Sequence, residues 1–152
     1  MNIKAAFAFV IATTAITLST ATFAAPGAIN PPTKDRVTIT VGQKLTIQFQ
    51  QRGMALLQSK TVEKPDGKTP SVTLDFKKNA DGTLILTVQN DFKQNLQCQL
   101  LTRSKGSNDF FEVGDGKPFI VTASLAYIAT WGGLPVEEVA LYNPVLLPDE
   151  TR

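Results

Sequence analysis

Short runs in which apolar and polar residues alternate, each closed by Gly, Asp or Pro, constrain this chain more than any other feature. After the Asp81-Gly82 turn, Leu84, Leu86 and Val88 alternate with Thr83, Ile85, Thr87 and Gln89, the period of two that a half-buried strand requires. A polar loop over 90–95 follows. Leu96, Cys98 and Leu100 then share one face, with Gln97, Gln99 and Thr102 on or near the other. These two strands, joined by a short loop, are expected to form the central pair of the fold.

The same alternation marks Val37, Ile39 and Val41, then Leu45, Ile47 and Phe49 after Gly42-Gln43-Lys44, and again Val72, Leu74 and Phe76. A connection as tight as Gly42-Gln43-Lys44 leaves open whether its two strands pair with each other or pass between sheets. Met54 to Val62 opens like a helix but ends in Thr61-Val62 before the Pro65-Asp66-Gly67 turn, which favours a strand. Phe110, Phe111 and Val113, then Phe119 to Val121, Ala126 to Trp131 and Val139 to Leu147 complete the series. Regular spacing without a long helical pattern predicts an all-β chain, an antiparallel β-sandwich of about eight or nine strands. Residues 35–152 form its single domain, preceded by a proline-rich extended segment over 25–34.

Residues 1–24 read as a cleavable targeting segment: Lys4 supplies the positive start, Ala5 to Leu18 the apolar run, and Thr22-Phe23-Ala24 the small-residue end. The run covers about 14 residues, short of the roughly 20 that a membrane helix needs. No cysteine stands near the cleavage point to carry a lipid, so no membrane anchor is expected after cleavage. The short leader looks bacterial, and the destination is the periplasm or the outside. Without Lys4 the chain has 14 basic residues against 13 acidic. That balance excludes nucleic acid, which demands clustered Lys and Arg.

Histidine is absent, which removes the commonest general base, the Ser-His-Asp and Cys-His arrangements, and most transition-metal sites. No cofactor and no metal site is expected. Carboxylate-only hydrolysis survives, with Glu137-Glu138 or Asp109 with Glu112 as the pairs to examine, although adjacent glutamates on a strand point to opposite faces. Gly114-Asp115-Gly116 lacks the spaced oxygen ligands of a calcium loop and reads as a turn. Cys98 is the single cysteine, so no internal disulfide forms; between Leu96 and Leu100 it reads as a buried thiol acting as a small hydrophobe.

The C-terminal third is rich in aromatic residues: Phe110, Phe111, Tyr127, Trp131 and Tyr142. If Ile128 faces the core, alternation exposes Tyr127 and Trp131 together, and Tyr127, Trp131 and Tyr142 become the candidate binding surface. In the other register Trp131 plugs the end of the core.

The opening VTITVGQKLTIQF, the pair LILTVQNDFKQNLQCQLLTR and the aromatic ending at Trp131-Gly132-Gly133-Leu134-Pro135 resemble the immunoglobulin-like sandwiches of small secreted bacterial proteins of unknown function. That resemblance covers most of 35–147 and implies a non-enzymatic periplasmic or secreted domain acting through a protein partner. The segment SLAYIATWGGLPVEEVALYNPVLLPD also looks like the two helices of a LysM module, a resemblance that implies peptidoglycan as a ligand. Pro135 at a helix start, with Glu137 and Glu138 in a first turn, fits that second expectation.

Overall fold

A computed structural model describes residues 27–148 of the chain; the targeting segment expected over 1–24 lies outside the described residues. Among the described residues the ordered elements are a single 3-10 turn at Thr33–Asp35 and ten strands. The strands are β1 (Arg36–Thr40), β2 (Gln43–Arg52), β3 (Ala55–Val62), β4 (Ser71–Lys78), β5 (Leu84–Asn90), β6 (Leu96–Ser104), β7 (Phe111–Glu112), β8 (Phe119–Val121), β9 (Ala126–Trp131) and β10 (Val136–Leu146). An isolated bridge joins Ala28 to Phe111. The count exceeds the eight or nine expected because the short apolar piece at Phe110, Phe111 and Val113 contributes the two-residue strand β7, while Phe119 to Val121 forms the strand its sequence predicts.

Every pairing is antiparallel. The hydrogen-bonded path runs β7-β6-β10-β3-β2-β4-β5-β9, with β1 also on β10 and β8 also on β6. This one sheet curls into a half-barrel. β4 and β5 form a hairpin at Asp81-Gly82. There the Asp81 carboxylate accepts the Thr83 amide, the Gly82 amide bonds the Asn79 carbonyl, and Gly82 takes the positive φ that glycine adopts without a Cβ penalty.

Consecutive strands elsewhere are often not neighbours. β1 and β2 turn at Gly42 and part, β1 to β10 and β2 to β3 and β4. The expected central pair of β5 and β6 is likewise not a pair, since β5 bonds β4 and β9 while β6 bonds β10, β7 and β8. Their connection instead crosses the core. Asn90, wholly buried, donates through Nδ2 to the carbonyls of Gln94 and Val121, and its Oδ1 accepts the Phe92 amide. A buried amide with these partners offsets its desolvation and fixes the crossover.

The C-terminal third consists of strands. The two helices implied by the LysM resemblance are not formed, because Ala126–Trp131 pairs with β5 and Val136–Leu146 pairs with both β6 and β1. β10 serves two partners on one side, β1 along 138–142 and β3 at Val145, through a bulge between Tyr142 and Val145 where Asn143 has a positive φ.

One core cluster fills the curl. It takes Val37 and Ile39 from β1, Ile47 and Phe49 from β2, Val72, Leu74 and Phe76 from β4, and Leu84, Leu86 and Val88 from β5, which β6 and β10 face. Leu96, Cys98 and Leu100 all point inward, as their alternation predicts. Full burial of each large apolar side chain contributes about 1.5–3 kcal/mol. Burial also pushes the Cys98 thiol above its ordinary pKa, so it stays protonated and unreactive.

A second, smaller cluster lies on the outer face of β6 and β10, where Phe110 covers Leu101 and Ala140 with Ile29 and Tyr142 beside it. The guanidinium groups of Arg36 and Arg103 stand 4.6 and 5.3 Å from the centre of the Phe110 ring, and Arg103 also pairs with Glu138. Residues 28–30 belong to this layer rather than to a free leader. Ile29 donates its amide to the Phe110 carbonyl, while Asn30 bonds the Asp109 carboxylate through Nδ2 and the Phe110 amide through Oδ1.

Candidate interaction surface

Of the carboxylates considered for catalysis, those of Glu138 and Asp109 are bonded within the fold. Glu137 and Glu138 lie side by side on β10, where the register against β6 shifts between Val136 and Glu138; the Glu138 carboxylate pairs with Arg103, and the Glu137 backbone carbonyl accepts the Val41 amide. Asp109 accepts from Asn30, and the Glu112 carboxylate packs against Gly116. Among the described residues no group of three His, Cys, Asp or Glu side chains comes together as metal ligands.

The three aromatic residues expected to mark a binding surface occupy three separate places. Trp131 is 7% exposed and meets Phe76 edge to face at 5.9 Å, plugging one end of the core. Tyr127 turns inward on the same strand and lies against Phe119, ring centres 4.5 Å apart. Tyr142 belongs to the outer Phe110 cluster and borders a cleft of about 160 Å³ with Lys34, Arg36, Phe49, Leu57 and Pro144. The register of β9 is thus the reverse of the one that exposes Tyr127 and Trp131: Ile128 faces solvent and is 62% exposed. The physical reason lies in β9 itself: the face of Ala126, Ile128 and Thr130 offers less apolar bulk than that of Tyr127, Ala129 and Trp131, so the aromatic side chains take the core.

This register creates an apolar seam. β8 and β9 are consecutive, joined by a tight turn in which the Leu125 amide bonds the Thr122 carbonyl, yet they do not pair with each other. Phe119 and Tyr127 close the seam on the inside. Along its outside Ile120, Leu125 and Ile128 are 51%, 58% and 62% exposed. Asn90 anchors the turn from below, donating its backbone amide to the Leu125 carbonyl as well as its side-chain amide to Val121.

The backbone of β9 is open along the same line. Asn90 and Leu125 are opposite one another and bonded, and hydrogen-bonded pairs alternate along an antiparallel ladder. Val88 with Tyr127, Leu86 with Ala129 and Leu84 with Trp131 are therefore the bonded pairs. The amides and carbonyls of Ala126, Ile128 and Thr130 point to the free edge, where the described residues give them no partner. Their side chains are exposed as well. The strand itself carries no charged side chain over Ala126–Trp131.

Reading the sequence missed Ile120 and Leu125 altogether. One signal pointed to this edge: six consecutive residues of β9 with no charge, proline or glycine, an unusual composition for a strand with an open side. Among the described residues no helix is long and apolar enough to cross a membrane. Comparison with known proteins finds no matching family, no matching curated protein and no matching solved structure.

Proposed function

We propose that the chain is a non-enzymatic, immunoglobulin-like sandwich domain of the periplasm or the extracellular space that acts by binding another polypeptide. The observation that carries this reading is the seam at β8 and β9, where three large exposed aliphatic side chains flank a strand whose backbone groups are unpaired. Exposed apolar patches beside polar backbone are the composition of a protein contact, and an open edge takes an extended segment by main-chain bonding. The resemblance of the opening and central strands to secreted bacterial sandwiches supports the fold family. The leader-like residues 1–24 support the compartment. A single core lined by β1, β2, β4, β5, β6 and β10 supports sandwich-like packing of the curled sheet.

Photo-crosslinking in cells tests the reading. A benzophenone side chain at Ile120, Leu125 or Ile128 should give one discrete adduct, and the same group at Met54, exposed on the β2–β3 turn, should give none. Adducts absent from all three seam positions would overturn it.

A further inference from the structure

Soluble proteins blunt strand edges with lysine, proline, bulges or a covering segment. Two other edges of this sheet follow that rule. β7 has only two residues, one of them Glu112, and is bridged by Ala28; β3 carries Lys60 and a register shift against β2. β9 has none of these devices.

We propose that β9 is a dimerisation strand, adding antiparallel to the β9 of a second copy about a two-fold axis at Ile128. The proposal rests on the reading of the seam as a contact surface and names its occupant. The register follows from the free backbone groups. With Ile128 opposite Ile128 of the second copy, the open pairs are Ala126 with Thr130, Ile128 with itself and Thr130 with Ala126, so all three free residues bond. Centring the axis on Tyr127 or on Ala129 leaves only two such pairs within β9.

The side chains fit the same register. Tyr127 meets Ala129 and Ala126 meets Thr130, larger against smaller on each face, and exposed Ile128 meets its own copy. Self-pairing normally sets like charges against each other at an edge. The absence of charge from β9 removes that penalty, which is why the strand matches itself.

Sedimentation velocity of the purified protein over a concentration series should show a monomer–dimer equilibrium. Ile128→Lys, which sets two ammonium groups face to face at the axis, and Thr130→Pro, which removes a free-edge amide from two symmetry-related bonds, should each weaken it by about tenfold or more. Met54→Lys should leave it unchanged. Thermal melting of each variant shows whether the fold is kept. As a second readout, Ile128→Cys should oxidise to a disulfide-linked dimer, and Met54→Cys should not. A wild-type monomer at every concentration, or a dimer indifferent to both edge variants, would overturn the proposal. If crosslinkers at Ile128 still capture a different chain, the contact-surface reading stands without it; if crosslinkers at Ile120, Leu125 and Ile128 all capture nothing, both fail.

Discussion

The hydrogen-bonded path of the sheet ends in two strands that are opposites. β7 is two residues long, carries Glu112 and lies under the segment through Ala28, Ile29 and Asn30. β9 is six residues long, uncharged and uncovered. At the first end a proline-rich stretch and the Phe110 ring, held between two guanidinium groups, complete the fold internally. At the second end nothing among the described residues does so. This difference between the two ends is what the proposed pairing at β9 rests on.

The contrast breaks most severely at Phe110. Phe110→Ala removes a fully buried ring from the outer cluster and should destabilise the protein by about 3–5 kcal/mol in chemical denaturation. It should also release residues 28–30, making the β7 end as open as β9. Protease sensitivity near residue 30, gained in the variant and absent from the wild type, would report this. A smaller effect is expected at Cys98, on β6 between both flanks. Cys98→Ser should cost about 1–3 kcal/mol, because a buried hydroxyl without a partner replaces an apolar thiol. The native thiol should resist a polar alkylating reagent until the chain unfolds, since burial raises its pKa; rapid native labelling would contradict the closed Phe119–Tyr127 contact beside it.

Asn30→Ala sharpens the comparison without touching the core. It deletes the side-chain bonds to Asp109 and to the Phe110 amide and should cost about 1 kcal/mol, while amide exchange rises at Ile29. Least affected should be Ile128→Ser, within the roughly 0.5 kcal/mol scatter of surface changes. A loss near that of Phe110→Ala would mean that Ile128 is part of the folding core and that the two ends are alike.

Much of the strand content was legible because β1, β2, β4, β5 and β6 each set apolar side chains against Thr, Gln, Asp or Lys, which marks the inner face unambiguously. Leu96, Cys98 and Leu100 are the plainest case. β9 is marked less sharply: Tyr127, Ala129 and Trp131 stand on one side and Ala126, Ile128 and Thr130 on the other, either side offers an apolar residue to the core, and Trp131 takes the place against Phe76. Pairing was not legible at all between β5 and β6, because a short polar connection looks the same whether it closes a hairpin or spans the core. What distinguishes them is Asn90, whose burial depends on carbonyls at Gln94 and Val121 that become its partners only once the chain has folded.

β10 lies between β1 and β6, so the first strand of the sheet bonds the last and neither is complete before the other arrives. Closing a loop of that length precedes any reward from the contacts it permits, which places the fold among the slower, non-local topologies. Until β10 emerges from synthesis, the sides of β1 and β6 that pair with it stay unsatisfied. A chain cut before Val136 should therefore keep two aggregation-prone edges, on β1 and β6, that β10 covers in the fold.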